Sequence, residues 1–177
     1  MIPALIKAAE STDELKILDV GCGSGYLTAC LGRLVDRAHG ASILGIRGKV
    51  FGIDYISQLV DFSKSNMLKN DADLIDSGTV HFSLGDGWMG LEAEAPFHAI
   101  HVGAAAESMP VKLMQQLAVG GTLICPIGPD GGFQSLYCIE RIHFCEKFHE
   151  SDYSIKPLLG VRYVPLVKVP SRGWGAC

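Results

Sequence analysis

Residues 15–20, Leu-Lys-Ile-Leu-Asp-Val, run directly into Gly21-Cys22-Gly23-Ser24-Gly25, and from Leu27 onward apolar side chains recur at helical spacing. No other stretch restricts the chain so tightly. A short apolar strand, a turn with three glycines in five residues and an amphipathic helix make a strand–turn–helix unit. The glycines permit backbone angles and close ligand approach that side chains would block. Leu27, Cys30, Leu31, Leu34 and Val35 fall on one helical face, which is expected to lie on a sheet.

The unit repeats. Residues 49–53 read as a second strand, followed by Ile56, Leu59, Val60, Ser63 and Met67 at helical spacing, and residues 80–84, 97–102 and 122–127 supply three more strands. A helix is expected to begin at Pro110, whose fixed φ suits a first helical position, and to run to about Ala118 before Gly120 and Gly121. Residues 136–142 and 161–167 read as antiparallel strands at one edge. The alternation predicts one α/β domain over residues 1–177: a doubly wound, mostly parallel, Rossmann-like sheet with an antiparallel C-terminal edge. Residues 37–48 follow neither period and are expected to form an extended surface loop.

With 177 residues, 48% of them hydrophobic, the chain is long enough for one sizeable core. A formal charge of −4 without a dense basic run argues against general affinity for nucleic acid or acidic membranes. Lys7 and Glu10 interrupt the apolar start before a signal-peptide core or a membrane span could form, which predicts a cytoplasmic chain. Cys22, Cys30, Cys125, Cys138, Cys145 and Cys177 include no CxxC pair, so they are expected to be free thiols with neither zinc nor redox function.

Two ligand classes compete for the glycine turn, dinucleotides and S-adenosylmethionine. Tyr26 stands where a dinucleotide fingerprint places its third glycine or alanine, and Asp19 would repel a pyrophosphate but can pair with a methionine ammonium group. The sulfonium cofactor fits better. Asp54 ends the second strand, where a carboxylate can accept bonds from both ribose hydroxyls, although it lies 29 positions after Gly25 rather than the roughly 20 usual in such units. Gly85-Asp86-Gly87 closes the third strand, where Asp86 can reach an adenine amino group and Gly87 leaves room for the ring. Set against these readings, Asp54 could be a solvated strand end and the tripeptide a plain turn.

Leu18-Asp19-Val20-Gly21-Cys22-Gly23-Ser24-Gly25-Tyr26 and Gly48-Lys49-Val50-Phe51-Gly52-Ile53-Asp54 resemble the protein-L-isoaspartate (D-aspartate) O-methyltransferases. Gly85-Asp86-Gly87-Trp88, His101-Val102-Gly103-Ala104-Ala105-Ala106 and Tyr163-Val164-Pro165-Leu166 continue the resemblance in the same order, the last two being the more specific to that family. The likeness implies that Asp19, Gly21, Gly23, Ser24, Gly25, Asp54, Tyr55, Asp86 and Gly87 surround S-adenosylmethionine, with Val167 and Arg172 nearby. It also implies methyl transfer to the α-carboxylate of isoaspartyl residues in damaged proteins, a step toward their repair, by an enzyme expected to be a monomer.

Members of the family carry, before the first motif strand, a segment with an active-site Ser/Thr stretch and a histidine, and the resemblance here begins after it. No residue of this chain inherits that catalytic role. His98 stands where the family usually carries aspartate, and residues 37–48 read as an insertion. The histidines are expected to be packing or surface residues rather than catalysts or metal ligands, and Cys22 a small residue filling the turn. A relative serving as a cofactor-binding or protein-binding module is the alternative function, and a nicotinamide-dependent oxidoreductase a distant third.

Overall fold

In a computed structural model, which describes residues 2–10, 12–36, 47–145 and 147–168, helix α1 (Ile2–Ala9) leads into strand β1 (Glu14–Val20) and, after the glycine turn, helix α2 (Tyr26–Val35). Strand β2 (Arg47–Asp54), helices α3 (Ser57–Asn70) and α4 (Ala72–Asp76) and strand β3 (Val80–Leu84) complete the first half. Strand β4 (Phe97–Val102), the short helix α5 (Val111–Gln115) and strands β5 (Leu117–Ile127), β6 (Gln134–Arg141) and β7 (Tyr153–Val161) form the second. The seven strands lie in the order β3-β2-β1-β4-β5-β6-β7. The first five are parallel, while β6 and β7 are antiparallel to their neighbours, as the sequence led us to expect.

Each face of the sheet carries its own apolar cluster. Leu18, Val20, Ile53, Ile100, Val102 and Phe97 occupy one, with Leu113 and Met114 of α5. Leu15, Ile17, Val50 and Ala99 occupy the other, beneath Leu5 of α1 and Leu31 and Val35 of α2. Each fully buried Leu or Ile contributes roughly 1.5–3 kcal/mol relative to exposure. Arg33 of α2 donates to Asp71 at 2.9 Å and to Asp73, tying this helix to the α3–α4 corner.

Four details differ from the sequence reading. Cys30 is exposed, and the buried face of α2 is instead Thr28, Leu31, Gly32 and Val35. The helix after Pro110 ends at Gln115, because Leu117 already pairs with Phe97 and the buried Arg141 guanidinium takes the carbonyls of Gln115 and Leu117 at 3.0 and 2.8 Å. Residues 117–121 therefore extend β5 backward. The last strand is 153–161 rather than 161–167; Tyr153 is buried at its start, and the chain leaves the sheet after Val161. The reading of 37–48 as a loop falls mostly outside the described residues, and Arg47 and Gly48 belong to β2.

His98, the departure from the family pattern, is half-buried on β4, and its Nδ1 accepts the Lys16 N–H at 3.0 Å. Burial holds this imidazole below its usual range. The unfolded chain therefore takes up a proton as pH falls through about 6.5, while the folded ring resists. Stability from this site is complete above that pH and lost below it. Thermal unfolding measured from pH 7 to 5 should fall more steeply for the parent than for His98→Asn, whose amide oxygen accepts the same N–H; parallel curves would assign the effect elsewhere.

Candidate functional site

The strand order reverses between β1 and β4, the place where doubly wound sheets bind ligands beyond the carboxyl ends of their strands. A cavity of about 420 Å³ lies there. It is lined by Gly21 and Gly23 after β1, by Asp54, Tyr55 and Ile56 after β2, by Gly87 after β3, by Gly103 and Ala104 after β4, and by residues 164–167. Its volume is that of a small-molecule site, and its walls are mainly apolar with few polar groups.

The glycine turn is held by the next strand. The amides of Gly21 and Cys22 both donate to the Ile53 carbonyl, at 2.8 and 3.0 Å. Asp54 is buried and completes the clasp: Oδ2 accepts the Gly23 N–H at 3.2 Å and Oδ1 the Ile56 N–H at 3.1 Å. A carboxylate has about four acceptor positions, so two remain for a ligand diol. Gly25 has φ +78°, and a Cβ there would stand 3.1–3.2 Å from Ser63 and Phe82, so glycine is required both for the turn and for seating α2 on α3. The Ser63 hydroxyl donates to the Gly23 carbonyl at 2.9 Å from the other side.

Of the residues expected at this site, Gly21, Gly23, Asp54, Tyr55, Gly87 and Val167 line the cavity. Ser24 and Gly25 border a neighbouring hollow with Tyr26 and Asn66. Asp86 is adjacent to Gly87, and its Oδ1 accepts the Trp88 N–H at 2.9 Å. Arg172 lies outside the described residues. Asp19 is buried behind the turn, with Oδ2 accepting the Thr28 hydroxyl at 2.6 Å and Oδ1 lying 2.9 Å from His101 Nδ1. Burial pushes the Cys22 thiol up to about 11, which keeps it protonated and unreactive at neutral pH.

The sequence reading missed two features. The first is the Thr28–Asp19–His101 cluster, whose only signal was that Asp19 and His101 each sit one residue from the end of a strand. The second is the cavity's outer wall. Ala105 N–H donates to the Val164 carbonyl and the Leu166 N–H to the Ala105 carbonyl, both at 2.8 Å. The Gln134 amide brackets Tyr163, donating to its carbonyl and accepting its N–H, and Trp88 Nε1 donates to the Leu166 carbonyl. Gly87 makes the seat possible, since a Cβ there would stand 2.8 Å from both Leu166 and Val20. Among the described residues no group of His, Cys, Asp or Glu is placed to hold a metal, and no helix is long and apolar enough to cross a membrane.

A family model described as Protein-L-isoaspartate(D-aspartate) O-methyltransferase (PCMT) matches residues 1–171. Curated proteins named protein-L-isoaspartate O-methyltransferase include one from Caenorhabditis elegans, 40% identical over 72% of this chain and 53% of its own length. Another, from Yersinia pestis, is 34% identical over 95% of this chain and 68% of its own. Two from Arabidopsis thaliana are covered over 44% and 59% of their lengths, so the chain spans about half the length of several curated relatives it matches. A crystal structure assigned to the Plasmodium falciparum enzyme, in complex with S-adenosyl-L-homocysteine, superposes with a TM-score of 0.72 at 29% identity, covering 95% of this chain and 72% of that one.

Proposed function

The chain belongs to the protein-L-isoaspartate(D-aspartate) O-methyltransferase family, and on that premise we propose that it methylates the α-carboxylate of isoaspartyl residues in damaged proteins, with S-adenosylmethionine as donor. The observation that carries this reading is the cavity at the β1/β4 switch point, where the two segments most specific to the family, 104–106 and 163–166, are hydrogen-bonded to each other. The site's shape and donor set fit an adenosyl group. Asp54 offers its remaining acceptor positions to the ribose, Gly87 and the apolar wall of residues 164–167 suit the adenine, and the bare backbone of Gly21 and Gly23 gives the methionine chain room to approach. Ser24, Gly25, Tyr55, Asp86 and Asp19 complete the proposed surround, with Asp19 acting from behind the turn.

When bound, the cofactor supplies a sulfonium methyl that passes to the substrate carboxylate, leaving S-adenosylhomocysteine and a methyl ester. Little acid–base help is needed, because an α-carboxyl group with a pKa of about 3.5 is already ionised at neutral pH. The chain's own residues then align the carboxylate with the methyl and exclude water. We place the chain in the repair of aspartyl and asparaginyl damage, with residues 1–177 forming one methyltransferase domain of a cytoplasmic monomer and isoaspartyl polypeptides as its partners.

Transfer of labelled methyl from S-adenosylmethionine to an isoaspartyl peptide, with none to the same peptide carrying ordinary aspartate, is the expected result. Binding of the cofactor by a folded chain without transfer to either peptide would replace this reading with that of a binding module.

A further inference from the structure

The cluster behind the glycine turn leaves one ring nitrogen uncommitted. Asp19 is 1% exposed, and a carboxylate buried so deeply needs donors on its oxygens; Thr28 and His101 face them at 2.6 and 2.9 Å. Asp19 accepts the Nδ1–H of His101 and fixes the ring's orientation, as a carboxylate behind a histidine commonly does, so Nε2 carries a hydrogen of its own only when the ring is the imidazolium. Nε2 then faces whatever arrives. Among the described residues it has no hydrogen-bond partner, and the side chain is 21% exposed. The Cε1 edge of the ring lies 3.7 Å from where a Cβ on Gly103 would stand, and Gly103 lines the cavity.

The charge balance of the site gives this nitrogen a task. Among the described residues no Lys, Arg or His lines the cavity, and the one charged side chain among them there is Asp54. Lys168, beyond the rim, lies 3.5 Å from Glu107 and 5.0 Å above the Trp88 ring. The proposed reaction nevertheless gathers two carboxylates, one on the methionine end of the cofactor and one on the substrate. Without a donor facing them, both would lose hydration uncompensated.

We propose that His101 is a positioning residue that, as an imidazolium held between Asp19 and a carboxylate at the mouth of the cavity, presents Nε2–H to that carboxylate, its ring oriented by Asp19 and, through Asp19, by Thr28. The inference rests on the methyltransferase reading above. Asp19 then serves the ligand through His101 rather than by direct contact with the ammonium group.

The test uses two substitutions that divide the imidazole. His101→Asn keeps a donor where Nδ1 stands, preserving the bond to Asp19, and removes the outer nitrogen; His101→Gln restores a donor near Nε2. Binding of S-adenosylhomocysteine is compared by calorimetry with that of methylthioadenosine, which lacks the amino-acid end, and KM and kcat are measured with the isoaspartyl peptide. Loss of one charge-assisted bond should cost His101→Asn about tenfold, partly recovered in His101→Gln. If the cofactor's carboxylate is held, the loss appears for S-adenosylhomocysteine and not for methylthioadenosine. If the substrate's carboxylate is held, peptide KM rises while both nucleosides bind as before. Equal losses for both nucleosides, or no change in any of these quantities, overturns the proposal. A parent chain that binds neither nucleoside overturns the methyltransferase reading itself, and this inference with it.

Discussion

Asp54→Ala is expected to weaken binding of S-adenosylhomocysteine by about 100-fold or more, since two bonds to a charged acceptor are lost at roughly 1.5–3 kcal/mol each. The effect should exceed that of removing an ordinary surface carboxylate because Asp54 has two duties. It is 6% exposed and holds the Gly23 and Ile56 amides at 3.2 and 3.1 Å, so the turn's shape depends on it as well as the ligand. Asp54→Asn separates the two. Its single carbonyl oxygen can satisfy one of the backbone amides, while its NH2 group offers donors where acceptors are needed. This variant should lose less thermal stability than Asp54→Ala and still bind the nucleoside poorly, as read by calorimetry alongside thermal unfolding. Parental affinity in Asp54→Ala would remove this residue from the site.

That Asp54, Gly21, Gly23 and Gly87 could be picked out from the sequence follows from one geometric rule, whereas Tyr55 came with the family resemblance. In a parallel sheet the carboxyl ends of successive strands lie along one edge, so a residue just past an apolar run is already placed near the ligand. The rule reaches no further than the strands it locates. His101 pairs in register with Asp19 only because β4 lies beside β1, and the two are 82 positions apart. Residues 161–167 carry an apolar run like that of an edge strand, yet Leu166 packs inward while Val164, two positions away, is exposed at the cavity rim; an apolar run alone does not distinguish a ladder from a wall. The early end of α5 likewise depends on Arg141, more than twenty residues downstream, which captures carbonyls that a longer helix would use. Cys30 was misplaced for a simpler reason: Gly32 lets α2 approach Val80 and Leu74 closely, which rotates the buried face toward Thr28 and Gly32.

Ending the chain after Arg162 is expected to abolish nucleoside binding while leaving the sheet folded, because all seven strands are complete by Val161 whereas four cavity-lining residues lie beyond it. The deletion removes both backbone bonds to Ala105, both bonds to the Gln134 amide and the acceptor of Trp88 Nε1. Ala105 and Gln134, each 2% exposed, would meet solvent. A stability loss of roughly 2–4 kcal/mol follows from net hydrogen-bond and burial contributions of ordinary size, small enough for a cooperative transition to survive. Gln134→Ala is the gentler form of the same experiment. It leaves the segment's sequence intact but removes its bracket, and should cost about 1–3 kcal/mol of stability through the unpaired Tyr163 backbone. If the segment is a wall of the site, this variant also loses affinity for S-adenosylhomocysteine, and does so more at temperatures where the segment detaches. Equal affinity in the parent and the deleted chain would leave the glycine turn and Asp54 as the whole binding site, and residues 163–167 as packing alone.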